Sequence, residues 1–239
     1  MPSDSVGVGD TFAAAVSDDG WAVIPEAVPS SVLDAISDQL ATLPDSDSMR
    51  GGLRNLLDMH VVMTLARSAP VRSVAEAVLG PDCLAVRGLF FDKTPGANWG
   101  LAWHRDVTIA VRGRRELEGF GPWSEKARVV HVQPPVEILE QMLAVRIHLD
   151  TCGPESGPLR VLPGSHRAGK LDPIAIDTWK MRVESVECLA ARGAILAFRP
   201  LLLHASSPAV SPSRRRVVHL EFAVGPLPAG LEWRWACGT

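Results

Sequence analysis

The feature that most constrains the fold is a change of sequence texture near residue 84. Downstream of that point, short apolar segments alternate with clusters of Gly, Pro and Ser. The segments are LAVRGLFF, MLAVRIHLD, PLRVLP, VECLA, AILAF and RRVVHLEFAV. Many short strands separated by turn residues are typical of a β-sandwich or barrel. We therefore predict a mainly β fold with helices packed outside it.

The region before residue 84 predicts helices and one short strand, WAVI. Apolar residues that recur every three or four positions indicate a helix with Ser30 or Ser31 as its cap. A second helix, VRSVAEAVLG, ends on Gly80, a residue type that terminates helices well. Because helices and strands segregate along the chain, we expect one domain whose helical part precedes its β part.

We divide this single domain, residues 1–239, into three parts. Residues 1–83 are mostly helical, residues 84–226 form the β core, and residues 227–239 form a C-terminal tail. Within the core, residues 107–141 are rich in Gly and Pro and too long for a hairpin connection. Long loops in compact domains are commonly lids or binding loops, so we predict an active-site loop there.

Composition narrows the classes of function. The chain has 239 residues, 46% of them hydrophobic, which is enough for one substantial core. The net charge is −3 and the only dense basic run is Arg214 to Arg216, so we expect no nucleic-acid partner. No apolar run approaches the ~18 residues of a membrane span, and no signal-peptide pattern is present. Four scattered cysteines predict neither a disulfide framework nor a zinc-thiolate site. We expect a cytoplasmic protein that acts on a small molecule.

A histidine and an acidic residue two positions apart could bind one metal ion from the same face of a strand. Two histidines and one carboxylate on one face of a metal leave adjacent positions open, which is the arrangement of non-haem Fe(II) oxygenases. Zinc accepts the same ligands. Three such pairs occur in the sequence, His104/Asp106, His148/Asp150 and His219/Glu221. Most pairs of this kind are structural, and spacing alone does not choose between them.

The second half of the chain offers a third ligand and an anion-binding group. His204 follows the apolar run AILAFRPLLLH, and after a loop the chain enters a strand that arginines lead. We expect a hairpin that places a guanidinium beside His204. The planar fork of arginine binds a carboxylate through two parallel hydrogen bonds. For Arg214 and Arg216 we expect a solvated strand edge.

Four motifs, DGWAVIPEAV, WHRD, GPLRVLPGSH and RPLLLHAS, resemble the phytanoyl-CoA dioxygenase family of Fe(II)/2-oxoglutarate-dependent oxygenases. The resemblance implies a double-stranded β-helix core, the cupin-like jelly roll. It also implies that His104, Asp106 and His204 bind iron. Family members carry Ser and Arg two and eleven residues after the distal histidine, which implies that Ser206 and Arg215 hold the 5-carboxylate of 2-oxoglutarate. The implied cofactors are Fe(II), 2-oxoglutarate and O2.

Arg146 departs from the family pattern, because members often carry tryptophan there, near the co-substrate. Strand alternation puts Arg146 and His148 on one face, so Arg146 either contacts a carboxylate or forms a structural ion pair. Further candidates for substrate contacts are Arg54, Lys93, Asn98, His131 and His148. Three tryptophans flank the first motif and the long loop, either as pocket walls or as core residues; these are Trp99, Trp103 and Trp123.

The resemblance implies hydroxylation of an unactivated carbon with release of succinate and CO2. Asp106 occupies the position where related halogenases have a small residue. Desaturation, epoxidation or cyclisation would use the same residues, and a non-redox metal- or ligand-binding jelly roll is a third reading. The sequence shows no basic rim of the kind that would suit a CoA phosphate, which favours a small free metabolite or a biosynthetic intermediate.

Overall fold

A computed structural model describes residues 8–43 and 52–238. In chain order the elements are α1 (Val8–Asp18), β1 (Trp21–Ile24), α2 (Ser30–Leu40), α3 (His60–Arg67), α4 (Ala69–Leu79), β2 (Cys83–Lys93), β3 (Leu101–His104), β4 (Ile109–Val111), β5 (Trp123–Lys126), β6 (Val129–Val132), α5 (Val136–Glu140), β7 (Met142–His148), β8 (Leu159–Val161), α6 (Pro173–Arg182), β9 (Val186–Cys188), β10 (Ile195–Phe198), β11 (His204–Ser206) and β12 (Arg215–Val224). The helical start and the later strands agree with the predicted order.

Helices α2 and α4 lie where the sequence predicts them, whereas α3 was not predicted. Helix α2 begins at Ser30, but its cap is the extended residue Pro29, and no side chain makes a capping hydrogen bond. The predicted role of Ser30 or Ser31 as a cap is therefore wrong. Helix α4 ends at Leu79, and the cap residue Gly80 has a φ of 86°, which is accessible to glycine at little cost. In the part of the chain that the structure describes, no helix combines the length and apolar character needed to cross a bilayer.

Two antiparallel sheets form the β core. The larger has the strand order β1-β10-β7-β12-β2, and the smaller has the order β3-β11-β8-β9. Side chains of β7 and β10, among them Ala144, Leu196 and Phe198, pack with Leu159 and Val161 of the smaller sheet in one buried cluster. The two sheets therefore face each other, as the sandwich prediction requires.

Alternation along β7 and β12 divides the larger sheet into an apolar face and a polar face. Val145 and Ile147 belong to the cluster that buries the helices, together with Val218 and Leu220 of β12. Arg146, one position from each of its apolar neighbours, points to the other side and lines a cavity between the sheets. The outward face therefore secures the helices, and the inward face is free to carry charged groups.

The segment 107–141, predicted as a long loop, contains regular structure. It holds a third sheet of order β4-β6-β5 and helix α5. Its apolar side chains form a cluster with the C-terminal residues Leu227, Leu231 and Trp233. The tail predicted at 227–239 is accordingly anchored, and Cys237 also bridges to Ala85 of β2. Sequence reasoning missed these strands because they lie among Gly, Pro and charged residues that have the composition of a loop.

The chain after His204 does not form the predicted hairpin. Strand β11 pairs with β3 and β8, whereas β12 pairs with β2 and β7 in the other sheet. The connection therefore crosses from one sheet to the other. Arg216 is also not a solvated edge residue: its guanidinium binds both oxygens of Asp150 at 2.8 and 2.9 Å. Arg214, which is half-exposed, pairs with the buried Asp92.

We predict that Asp150→Asn lowers the free energy of unfolding at pH 7 by about 1–2 kcal/mol, because a paired, charge-assisted contact to Arg216 is lost. Burial alone would raise the pKa of Asp150, but the hydrogen bonds and charge of Arg216 outweigh it and hold the pKa below its usual range. A lowered pKa gives stability that is present above the unfolded-state value of about 3.9 and is lost as the pH falls through the folded-state value.

Urea denaturation checks this: the difference between wild type and Asp150→Asn should shrink as the pH falls below about 4. The control is Asp177→Asn, which removes an exposed pair with Lys180 and should cost less than about 0.5 kcal/mol. Equal losses in the two variants, or a difference that does not depend on pH, would contradict the prediction.

Candidate metal centre and its pocket

Strand pairing brings two histidines together at the mouth of the sandwich. His104, the last residue of β3, lies directly opposite His204, the first residue of β11. Their ring centroids are 4.2 Å apart. Asp106 follows two residues after His104, and its backbone N–H donates to the carbonyl of Pro200 at 2.9 Å, which fixes the carboxylate near both rings. Ligand atoms of His104, Asp106 and His204 all lie within 4.8 Å of one another.

Both imidazoles are oriented by the backbone two residues before them. Nδ1 of His104 lies 2.8 Å from the carbonyl of Ala102, and Nδ1 of His204 lies 2.9 Å from the carbonyl of Leu202. A carbonyl can only accept, so Nδ1 carries the proton and Nε2 keeps its lone pair. The Nε2 atoms lie 4.0 and 3.7 Å from the oxygens of Asp106. Three lone-pair donors therefore converge on one point, the arrangement that a divalent metal ion needs.

The charge state of this triad suits metal binding. Burial lowers the pKa of His204 to about 4, so its ring is neutral at pH 7. Burial alone would raise the pKa of Asp106, but His204, His219 and His104 outweigh it and lower the pKa to about 2. A neutral imidazole and an ionised carboxylate are the forms that bind metals.

Arg105, between the two ligands of the WHRD motif, points away from the triad. Its guanidinium donates to the carbonyls of Gly169 and Leu171, the latter at 2.7 Å, and so holds the segment before α6. Alternation thus continues past the end of β3 and sends His104 and Asp106 to one side and Arg105 to the other.

A second group of residues that could bind a metal ion also includes Asp106. Asp106, His219 and Glu221 also have ligand atoms within 4.8 Å of one another. Glu221, however, is already paired with the buried Arg87 at 2.9 Å. The sequence offers His219/Glu221 as one of three candidate metal-binding pairs. Only the fold shows that this pair lies beside the triad.

The pocket around the triad has a volume of about 310 Å³. Apolar side chains of Leu89, Phe91 and Trp99 line it together with the polar groups. Of the three tryptophans considered from the sequence, Trp99 contributes to this wall, whereas Trp103 packs against Arg160 and Trp123 against Arg114. Alternation along β2 brings Arg87, Leu89 and Phe91 to the same face, a pattern that the sequence contains but that we did not use.

Three cations are buried in the interior, and we refer to them as the inner cationic cluster: Lys93, Arg146 and Arg215. Of the three, Arg146 lines the metal pocket. Each is less than a tenth exposed. Burial lowers the pKa of Lys93 to about 8 and that of Arg146 to about 10; Arg215 adds to both effects, and Arg146 adds to the effect on Lys93. Within the described part of the chain, none of the three has a carboxylate within ion-pair distance.

Several nitrogens of this region lack hydrogen-bond partners. Nε of Arg146, Nε of Arg215 and both ring nitrogens of His148 are buried and unpaired. Burial lowers the pKa of His148 to about 3, with a further contribution from Arg146 and Arg215. Buried unpaired donors are costly, so their presence points to a missing acceptor. A dicarboxylate would supply both the acceptors and the negative charge.

Other residues proposed from the sequence are placed as follows. Nη1 of Arg215 donates to the carbonyl of Gly157 at 2.8 Å. Ser206 is buried in β11, two residues after His204. Arg54 lines the metal pocket, and Nζ of Lys93 donates to the carbonyl of Ser207.

Two candidates make contacts typical of structural residues. The side chain of Asn98 bonds to both the N–H and the carbonyl of Ala209, which fastens two loops. His131 is buried, and its Nδ1 lies 2.9 Å from the carbonyl of Val129. Burial lowers the pKa of His131 to about 4. Neither residue is among those that line the metal pocket.

Comparison with known proteins agrees with this architecture. The sequence profile described as phytanoyl-CoA dioxygenase (PhyH) matches residues 16–217. No curated protein matches the sequence significantly. EctD from S. alaskensis, solved with 2-oxoglutarate and 5-hydroxyectoine, is 20% identical with a TM-score of 0.68, and the match covers 94% of this chain and 79% of that chain. The same protein has been solved with bound Fe.

Two enzymes of nogalamycin biosynthesis share the fold as well. The α-ketoglutarate-dependent epimerase SnoN is 17% identical with a TM-score of 0.68, covering 91% of this chain and 81% of its own. The carbocyclase SnoK is 13% identical with a TM-score of 0.68, covering 95% and 88%. These similarities confirm the predicted cupin-like jelly roll with flanking helices.

We predict that His104→Gln and His204→Gln each weaken Fe(II) binding at least about 100-fold, since even residues that only orient metal ligands are worth about 10- to 100-fold. Anaerobic calorimetric titration measures the effect, and His60→Gln, at an exposed position on α3, is the control. If His219→Gln abolished binding and His104→Gln did not, the metal would belong to the second group instead.

The profile match spans most of the sequence, and two of the motifs that carry the resemblance, WHRD and RPLLLHAS, supply the three residues of the triad. The chain belongs to the phytanoyl-CoA dioxygenase family.

Proposed function

We propose that the protein is a non-haem Fe(II)- and 2-oxoglutarate-dependent dioxygenase that hydroxylates an unactivated carbon of a small metabolite or biosynthetic intermediate. The observation that carries the proposal is that the inner cationic cluster adjoins the pocket of His104, Asp106 and His204 through Arg146. A metal site alone fits many proteins, but buried cations with unpaired donors beside it fit a site that also takes a dicarboxylate.

In this proposal His104, Asp106 and His204 hold Fe(II), and Arg215 with Ser206 holds the distal carboxylate of 2-oxoglutarate. Arg146 adds positive charge to the same region. When bound, the iron with 2-oxoglutarate and O2 supplies the oxidising chemistry, in which one oxygen atom enters succinate, CO2 is released, and the other oxygen atom enters the substrate. The chain orients both imidazoles and keeps that of His204 neutral, and it surrounds the reacting carbon with the apolar side chains of Leu89, Phe91 and Trp99.

Hydroxylation is the preferred outcome because Asp106 fills the carboxylate position and leaves no place for a halide ligand. The epimerase SnoN and the carbocyclase SnoK share this fold, so the same residues also support a rearranging or ring-forming outcome as the second candidate. A non-redox binding protein is less well supported, since it would have no use for the inner cationic cluster.

We also propose that the protein acts in the cytoplasm. All four cysteines are free and buried, as expected for a protein of a reducing compartment. The partner is a small molecule rather than a nucleic acid, since the chain carries a net charge of −3.

We predict that 2-oxoglutarate added anaerobically to the Fe(II)-loaded protein produces the weak visible charge-transfer band of a chelated iron. Arg215→Ala should raise the Kd for 2-oxoglutarate about 30- to 150-fold, since a charge-assisted hydrogen bond is worth about 2–3 kcal/mol. Fe(II) affinity should be unchanged, because Arg215 does not contact the triad.

The matched control for that titration is Arg214→Ala, which removes the neighbouring arginine whose partner is Asp92. Absence of the band in the wild type, or equal weakening in both variants, would remove the support for the proposal. Succinate release in the presence of a substrate then measures turnover, and the oxidised product distinguishes hydroxylation from a rearrangement.

We further predict that the affinity for 2-oxoglutarate falls between pH 7 and pH 9. The pKa of Lys93 is lowered to about 8 by burial and by Arg215 and Arg146, so this side chain is mostly charged at pH 7 and mostly neutral at pH 9. Loss of one nearby positive charge should lower the affinity for the 2-oxoglutarate anion about fivefold. Repeating the titration with Lys93→Gln provides the control, which should give the weaker affinity at both pH values.

A further inference from the structure

A second cavity adjoins the metal pocket and shares two of its residues. It has a volume of about 710 Å³, and four of the nine residues that line it are cationic while none is acidic. We call it the basic groove, and its cations are Arg54, Lys126, Arg128 and Arg234. Arg54 and Lys126 line the metal pocket as well, so positive charge extends from the triad to the surface.

The cations of the basic groove are not neutralised by the protein. Within the described ranges, no carboxylate lies within 4.0 Å of any of the four. Arg54 makes no hydrogen bond there, and Nζ of Lys126 donates only to the hydroxyl of Thr108 at 3.0 Å. Several exposed arginines elsewhere are paired with a carboxylate, for example Arg112 with Glu232. The groove therefore presents donors and positive charge that are available to an anionic ligand.

The wall of the groove is held in an unfavourable backbone conformation. Lys126 pairs with Val129, so Ala127 and Arg128 form the two-residue turn between β5 and β6, with φ of 50° and 61°. Turns of this shape normally use Asn and Gly. Asn55, itself at φ 64°, donates from Nδ2 to the carbonyl of Ala127 at 3.0 Å and fixes the turn against residues 52–55. Arg128 is thereby held beside the other cations before any ligand arrives.

We propose that the basic groove binds an anionic group of the substrate, a carboxylate or a phosphate, while the carbon to be oxidised lies in the metal pocket. This inference rests on the proposed function and names its substrate class. The groove is separate from the inner cationic cluster, because the two sets of residues share no member. It also corrects the expectation that the chain has no basic rim.

The proposal predicts the binding of simple aromatic probes to the protein loaded anaerobically with Fe(II) and 2-oxoglutarate. Calorimetry should detect phenyl phosphate or benzoate but not neutral benzamide, and the stronger of the two anions identifies the anionic group. Arg128→Gln/Arg234→Gln should lower the affinity for that anion at least about tenfold, because two charge-assisted contacts are lost. Both positions are exposed, so the fold should tolerate the change.

The matched control is Arg167→Gln/Lys180→Gln, which removes the same charge from exposed sites away from the groove. It should change the affinity less than about twofold, because distant surface charges are screened. Equal effects of the two double variants, or binding of benzamide as tight as that of the anions, would overturn the proposal.

Substrate screening by succinate release gives a second test. Carboxylic acids and phosphate monoesters are compared with their amide and alcohol counterparts. Turnover of an anionic member, with a KM that rises in Arg128→Gln/Arg234→Gln while kcat is retained, supports the proposal. Preference for the neutral counterparts overturns it. Absence of the visible band with 2-oxoglutarate would overturn the proposed function. A normal band, with no change of anion affinity or KM in Arg128→Gln/Arg234→Gln, would overturn only this inference.

Discussion

Alternation of side chains across the larger antiparallel sheet is the constraint on which both the fold and the site depend. On β7, Val145 and Ile147 face the helices while Arg146 and His148 face the interior. A shift of one residue in register would bury the charged set against the helices and turn the apolar set into the pocket. The apolar contact with the helices therefore also sets the direction of every polar group that lines the cavity.

Local patterns in the sequence were sufficient to predict much of this fold. Six strands, the helical start and the two faces of β7 follow from apolar periodicity and turn residues; the six strands are β2, β7, β8, β9, β10 and β12. The choice of His104/Asp106 among three similar pairs did not follow from spacing. It required the order of motifs along the chain, since strand pairing between β3 and β11 is a long-range contact that no local pattern encodes.

Features assembled from distant positions were not predictable. The basic groove draws its cations from residues 54, 126, 128 and 234, so no basic run exists to be seen. His219 and Glu221 were visible as a pair, but their approach to Asp106 depends on how β12 faces the smaller sheet. The expected hairpin after His204 failed for the same reason, because a strand that returns to the other sheet has the local pattern of a hairpin strand.

Like charges in the interior also link stability to occupancy. Lys93, Arg146 and Arg215 repel one another, and within the described part of the chain none of them has a carboxylate within ion-pair distance, so this repulsion opposes folding of the empty protein. A dianion that enters the interior relieves this repulsion and binds only the folded state, so it must raise the melting temperature. Replacing one of the cations by a neutral side chain of similar size would stabilise the empty protein and weaken binding of the dianion. Such a trade between stability and activity is common where function requires unfavourable charge.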